Sequence, residues 1–177
     1  IADVLFGDFN PAGRLPYTVY RNLDDLPDFN DYDISKGRTY MYFEGQPLFP
    51  FGHGLSYTSF EYSNLRFDSR DVKADGFVNV SVDVKNTGER DGEEVVQAYV
   101  RDVEASVKVP KKQLRAFERV AFKKGESKTV SFRISVADLG FWDEKAHAFV
   151  VEPGEFEVQV GASSADIRQK ASIYVNR

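Results

Sequence analysis

Hydrophobic and polar residues alternate along the last two thirds of this chain, in short runs. Val78, Val80, Val82 and Val84 alternate with Asn79, Ser81, Asp83 and Lys85, the period-2 pattern of a strand with one face buried. Val130, Phe132 and Ile134 alternate with Thr129, Ser131 and Arg133, and Phe156, Val158 and Val160 repeat the pattern. Alternating or β-rich runs occupy residues 59–67, 77–85, 94–101, 113–122, 128–136, 148–151, 154–160 and 169–175. Turn residues separate them at 73–76, 86–88, 124–126 and 152–154. Seven or eight short strands within about 120 residues predict an immunoglobulin-like β-sandwich. Residues 138–143 interrupt the pattern, and Trp142, the sole tryptophan, is expected to fill the core or an edge.

The first third of the chain reads differently. Ile1, Val4, Leu5 and Phe9 fall at helical spacing, Asn10-Pro11-Ala12-Gly13 stops the run, and residues 14–20 form a short strand candidate. One helical turn and one short strand cannot bury a core alone, so residues 1–20 must pack on the sandwich or on material outside this chain. The run starts without an N-cap, and the chain starts at Ile1 rather than Met. Both features imply a processed product or a piece of something longer.

Residues 21–56 show no clean period, which is long for an irregular segment in a compact domain. Such segments are functional or wrap a neighbour. Tyr40, Met41, Tyr42 and Phe43 cluster ahead of a turn at residues 44–47. Residues 47–58 then hold two prolines, two glycines, three aromatics and a histidine. Proline fixes φ and glycine permits positive φ, so this mixture encodes a rigid, irregular connector. The expected organisation is an N-terminal remnant over 1–20, a linker over 21–56 and the sandwich over 57–177.

Composition narrows the function classes. At 177 residues, 42% hydrophobic and 29% charged, the chain can bury a core and is not disordered. A net charge of −5 argues against a nucleic-acid footprint. Residues 1–56 carry 8 acids and 4 bases, so most of the excess lies ahead of the sandwich. No apolar run reaches the ~18 residues of a membrane span, and no signal peptide is visible. With no cysteine there is no disulfide and no thiolate metal site.

Candidate chemistry is sparse. His53 and His147 have no ligand partner at metal spacing beyond Glu144, which stands three residues from His147, so no metal site is assigned. No Gly-x-Ser-x-Gly elbow is present, and Gly52-His53-Gly54 lacks the third glycine and the preceding strand of a dinucleotide loop. The acid pairs Asp24/Asp25, Glu93/Glu94 and Asp143/Glu144 are expected on a solvated surface. Adjacent strand residues face opposite ways, so a pair such as Glu93/Glu94 cannot act as a dyad. The five aspartates between 24 and 33 lack EF-hand spacing and read as a solvated or salt-bridged loop. Tyr40, Tyr42 and Phe43 are the candidate substrate-binding residues, since aromatic faces stack on sugar rings and a wrapping loop can reach a neighbour's pocket. Plain interdomain packing is the competing role.

Several stretches, in one order, resemble glycoside hydrolase family 3. Residues 2–16, from Ala2-Asp3-Val4-Leu5-Phe6-Gly7 to Gly13-Arg14-Leu15-Pro16, resemble the end of the family's second, α/β-sandwich domain. Gly37-Arg38-Thr39-Tyr40-Met41-Tyr42-Phe43 and residues 47–58 resemble its interdomain connector, with His53 where the family usually has tyrosine, a substitution conservative in shape. Asn86-Thr87-Gly88, Gly92 to Val100 and Pro153-Gly154-Glu155-Phe156 resemble its C-terminal fibronectin type III-like domain.

The resemblance implies β-glucosidase or β-xylosidase chemistry: retaining, exo-acting hydrolysis by two carboxylates about 5–5.5 Å apart. It also implies that both carboxylates map upstream of Ile1. This chain alone is then inactive, carries no catalytic residue and needs no cofactor. Its partners are the N-terminal catalytic domains and a β-linked oligosaccharide or glycoside, with a homodimer as a further option. The alternative is an autonomous carbohydrate-binding or dimerisation module, for which Tyr99 and Phe117 are the aromatics to examine. Glucoside and xyloside specificity stay unseparated. Secreted or periplasmic placement is favoured over cytoplasmic.

Overall fold

The computed structural model describes residues 1–176; Arg177, the last residue of the expected sandwich, lies outside them. Among the described residues the strands are β1 (Phe60–Phe67), β2 (Asp71–Lys73), β3 (Phe77–Asn86), β4 (Gly92–Asp102), β5 (Gln113–Phe122), β6 (Ser127–Ser135), β7 (Phe141–Asp143), β8 (Ala148–Val150), β9 (Gly154–Gly161) and β10 (Ile167–Asn176). One sheet has the order β1-β3-β6 and the other β2-β10-β9-β4-β5, while β7 and β8 make a separate hairpin. Pairing is antiparallel except between β10 and β2, where Tyr174 to Asn176 run parallel to Asp71 to Lys73.

The period-2 pattern explains the core. Val78, Val80 and Val82 stand opposite Ile134, Phe132 and Val130 in register, so one apolar face spans two strands. That face meets Val96, Ala98 and Val100 of β4 and Phe156, Val158 and Val160 of β9 in a single cluster. The opposite face of β3 and β6 stays polar. There the hydroxyls of Ser81 and Ser131 meet at 2.9 Å, and Asp83 accepts from Thr129, Asn64 and Arg66. Those hydrogen bonds, led by Thr129, pull the Asp83 carboxyl down to about 2.

Several expectations need correction. The helix over residues 1–9 shrinks to one turn, α1 (Ala2–Leu5). The strand expected over 14–20 is reduced to a single bridge, Val19 to Phe49. Pro16 has no N–H to give a ladder, and the flanking Leu15 bonds with residues of the connector instead. The linker carries a 3-10 turn at Leu23–Asp25 and one helical turn, α2 (Thr39–Tyr42), and is otherwise irregular. β2 and β7 were invisible to the pattern, because three residues are too few to display a period. Trp142 lies on β7, outside the core and 47% exposed, with its ring edge against Phe149 at 5.4 Å.

Phe122 is 2% exposed, with its ring 5.5 Å from Phe60 where the sheets close. Phe122→Ala is expected to lower the unfolding free energy by about 3–5 kcal/mol. Phe149→Ala, on the exposed hairpin, should stay within about 0.5 kcal/mol. Urea unfolding followed by tyrosine fluorescence measures both.

Candidate functional site

Strand β4 joins the two parts of the chain. Its inward residues enter the core, as alternation requires. Its outward residues Gln97 and Tyr99 are equally buried, at 2% and 0% exposure, unlike a strand whose outer face meets water. Residues of the connector cover them. The Gln97 amide donates to the carbonyls of Gly52 (3.2 Å) and Ala162 (2.6 Å), and its oxygen accepts from the Tyr99 hydroxyl at 2.6 Å. Both the donors and the acceptor of the buried amide are thereby satisfied.

This close approach explains Gly52-His53-Gly54. Gly52 has φ +81°, and a Cβ there would stand 2.1 Å from the Gln97 oxygen. A Cβ on Gly54 would stand 2.3 Å from the Gly13 carbonyl. The connector is bonded in turn to the segment before it: Leu15 N–H to His53 O (2.8 Å), Gly52 N–H to Leu15 O (2.8 Å) and Val19 N–H to Phe49 O (2.9 Å). Ser164 N–H donates to Phe51 O at 3.0 Å and ties the connector to the loop after β9. The His53 ring stacks on Phe49 with centroids 5.1 Å apart.

A second contact is ionic. Arg14 donates to Glu94 at 3.0 Å, and the Tyr62 hydroxyl donates to the other Glu94 oxygen at 2.9 Å. Both side chains of the ion pair are largely buried, at 11% and 4% exposure. Glu94 was expected on a solvated surface, and the structure corrects this. The strand alternation that rules out a dyad sends Glu93 outward to Arg119 and Glu94 inward to Arg14. Burial pushes the Glu94 carboxyl above its ordinary value, against the opposing influence of Arg14 and Tyr62. Burial likewise pushes the Tyr62 phenol up.

Asn10 is the third contact. Its oxygen accepts from Ser56 Oγ and Tyr57 N–H, and its nitrogen donates to Asp91 O at 3.0 Å. A Cβ on Gly92 would lie 2.6 Å from that nitrogen. Asn86, fully buried, accepts from Thr58 Oγ1 at 2.6 Å and donates to Arg90 O at 2.7 Å.

The aromatic candidates are divided among separate roles. The Tyr40 ring stacks on Phe51 at 4.3 Å and meets Tyr99 edge-on at 5.9 Å, while its hydroxyl accepts from Leu114 N–H at 2.9 Å. Burial pushes its phenol up. Phe43 packs edge-on against Tyr20 at 4.9 Å. Tyr42 alone faces a cavity, with the Lys108 ammonium 5.9 Å from its ring centroid. Of the two sandwich aromatics, Tyr99 is in the seam and Phe117 is 64% exposed on β5. Among the described residues no group of three or more His, Cys, Asp or Glu side chains is placed to hold a metal ion, and no helix is long and apolar enough to cross a membrane.

The residues sequence reasoning missed are Arg14, Tyr62 and Gln97. One signal was available. Val95-Val96-Gln97-Ala98-Tyr99-Val100 is a nearly continuous apolar run rather than an alternating one, which marks a strand covered on both faces.

Beyond the seam, residues 1–57 turn an apolar face outward. Ile1, Leu5, Phe6, Leu23, Phe29, Tyr32 and Leu55 are each more than 70% exposed, and Ala12 is the one buried apolar side chain of that region. Patches of this kind mark interaction surfaces. Residues 1–57 match the glycosyl hydrolase family 3 C-terminal domain, and residues 94–164 match the fibronectin type III-like domain. The chain corresponds to the C-terminal part of glycoside hydrolase family 3 enzymes. It is 42% identical to thermostable beta-glucosidase B of Acetivibrio thermocellus, over 99% of this chain and 25% of that protein. It is 43% identical to a xylan 1,4-beta-xylosidase of Xylanibacter ruminicola, over 94% of this chain and 19% of that protein. Beta-glucosidase 3B of Thermotoga neapolitana, solved with alpha-D-glucose, superposes with a TM-score of 0.89 at 35% identity, over 99% of this chain and 26% of that one. The chain thus spans about a quarter or less of the length of these relatives and corresponds to their C-terminal part. The stretches that carried the family resemblance are largely seam residues: Gly52, Gly54, Asn86, Gly92, Glu94, Gln97 and Tyr99.

Two substitutions test the seam. Gly52→Ala must adopt left-handed backbone and displace Gln97, so a loss of about 3 kcal/mol or more is expected. Gly37→Ala has φ +89° but nothing within 4 Å of its Cβ and should lose only the conformational ~1–2 kcal/mol. Denaturant midpoints separate the two.

Arg14→Met leaves Glu94 buried without its cation, a loss of about 3–5 kcal/mol. Removing Arg14 removes an influence that lowers the Glu94 pKa, so the folded value rises further above the unfolded one. Such a group stabilises the fold fully below its unfolded pKa and loses that contribution as pH rises through the folded value. The deficit of Arg14→Met should therefore be smallest below the ordinary Glu value of 4.5 and grow towards neutral pH. Thermal melts of both proteins across that range measure it.

Proposed function

We propose that this chain is the non-catalytic C-terminal part of a retaining, exo-acting β-glycosidase that releases terminal β-D-glucosyl or β-D-xylosyl residues. In this reading residues 1–20 close the α/β-sandwich domain, 21–56 link it to the sandwich, and 57–177 brace the catalytic domains. The observation that carries it is the outward apolar face of residues 1–57, fixed on one side to a self-contained sandwich and bare on the other. The names of the relatives, beta-glucosidases and xylosidases of which the chain matches only the C-terminal part, support the substrate class. The partner is the N-terminal catalytic portion of the same enzyme, and the glycoside is met there.

Two measurements test this. The chain alone, given aryl β-glucoside and aryl β-xyloside, should show no turnover; turnover abolished by a point substitution within it would overturn the non-catalytic role. Added to catalytic domains prepared without it, the chain should raise their melting midpoint by at least about 2–4 °C, the shift that ~1 kcal/mol gives in a domain of 150–250 residues. An unchanged midpoint would overturn the bracing role. Retention of the chain alone on insoluble xylan or cellulose would instead favour an autonomous binding module, with Phe117 as the exposed aromatic to replace.

A further inference from the structure

A second site lies at the end of the sandwich, where β4 and β5 run past the core. A cavity of about 210 Å³ has Val100 and Phe156 for its floor and Tyr42, Asp102, Lys108, Gln113, Arg115 and Phe141 around it. The connector helps to form it, since Lys111 N–H donates to Met41 O at 2.8 Å and holds α2 beside the rim. Concave sites with an apolar floor and a few convergent polar groups are the usual form of a small-molecule site.

A β-bulge places the central charge. Ala98 pairs with Ala116 and Tyr99 with Leu114, so Arg115 is the extra residue on β5. Bulges re-aim one side chain out of the ladder and recur next to functional sites. Among the described residues Arg115 forms no ion pair. Its guanidinium donates to Gln113, and its Nε, shielded from solvent, has no hydrogen-bond partner. Asp102 accepts from Glu104 N–H at 3.2 Å and, among the described residues, has no cation within ion-pair distance. Burial raises its carboxyl above the ordinary value. Lys108, exposed, reaches over the Tyr42 ring and forms no ion pair either. Partly buried charges without partners are costly, and a ligand that matches them removes that cost.

We propose that this cavity binds a sugar acid, as one hexuronate ring. The ligand's carboxylate meets the Arg115 guanidinium, which suits a planar, bidentate partner, with the Lys108 ammonium beside it. Its hydroxyls donate to Asp102 and Gln113, and its ring lies against Tyr42 or Phe141. A neutral sugar leaves two cations facing one carboxylate. A phosphate brings two negative charges against Asp102 and offers no hydroxyl array for it to accept from. The volume lies below the roughly 300–1,000 Å³ of sites that take drug-sized ligands, which limits the occupant to about one ring. This site is independent of the proposed bracing role.

The test is a titration of the full chain with glucuronate, with glucose and acetate as comparison ligands, read by backbone amide NMR and calorimetry. Glucuronate should bind saturably, with shift changes concentrated at residues 102 and 108–115, and at least tenfold tighter than glucose or acetate. Arg115→Met should weaken it at least tenfold and Lys108→Met severalfold, while Trp142→Ala leaves it unchanged. Lys108→Met alters an exposed side chain, so it decides the question if Arg115→Met fails to fold. Absence of saturable glucuronate binding, equal binding of glucose or acetate, or an unchanged affinity in Lys108→Met would overturn the proposal.

Discussion

A buried amide must be given its hydrogen bonds, and Gln97 sets this condition for the first third of the chain. It sits on the outer face of β4, out of reach of water. Within the sandwich Tyr99 and the Ala162 carbonyl bond it, with a long contact to the Val95 carbonyl at 3.5 Å; the bond from outside the sandwich comes from Gly52. An unmade bond there costs about 1–3 kcal/mol, and the same displacement would uncover Tyr99, fully buried beneath Tyr40. The sandwich therefore specifies where the connector lies, and the connector, bonded at Leu15 and Val19, specifies where the preceding segment lies. Each step is a short-range fit with little slack, since Gly52 and Gly54 leave no room for a side chain.

The ionic contact acts in the same place by different physics. Arg14 and Glu94 are withdrawn from water, so their attraction is set largely against the cost of desolvating them. What the pair adds is position. A guanidinium held by Glu94 and by the Ala12 carbonyl at 3.1 Å has one arrangement, whereas an apolar pair in the same space could slide. Asn10 does the same without charge, bonding Ser56, Tyr57 and Asp91 through one side chain. Arg14 and Gly52 lie far apart in sequence from their partners on β4, as Asn10 does from Asp91 just ahead of it, and together they make the seam a defined docking geometry rather than a greasy contact.

The alternation of Val78 to Val84, of Val130 to Ile134 and of Phe156 to Val160 made the sandwich legible, because burial on one face writes itself directly into the sequence at period 2. The seam was legible only as composition and as the nearly unbroken apolar run of residues 95–100. The prolines and glycines of residues 47–58 announced a rigid connector, but nothing local says that Gly52 faces Gln97, a contact across 45 residues. Glu94 was misread for the same reason: a carboxylate next to another carboxylate looks solvated until the fold brings Arg14 across to it. Arg115 was hidden for a third reason, since a bulge depends on the register between two strands and leaves no trace in one strand's pattern. Tyr40, Tyr42 and Phe43 looked like one aromatic cluster in the sequence, yet a single helical turn fans them towards Phe51, the cavity and Tyr20.

The two parts differ in what they can sustain. The sandwich buries a continuous core, including four consecutive inward valines of β3 at 0% exposure. Residues 1–57 bury one apolar side chain and hold two single helical turns and a 3-10 turn. Ordering a residue costs about 1–2 kcal/mol in backbone entropy, and a hydrogen bond returns only about 0.5–1.5 kcal/mol net. Residues 1–57 therefore cannot order themselves; they inherit their conformation from β4 on one side. Their bare apolar face is then presented in a fixed shape, and a fixed shape loses less entropy when another surface closes over it. In this physical sense the sandwich acts on whatever covers residues 1–57 without touching it, by deciding in advance the form of the surface to be covered.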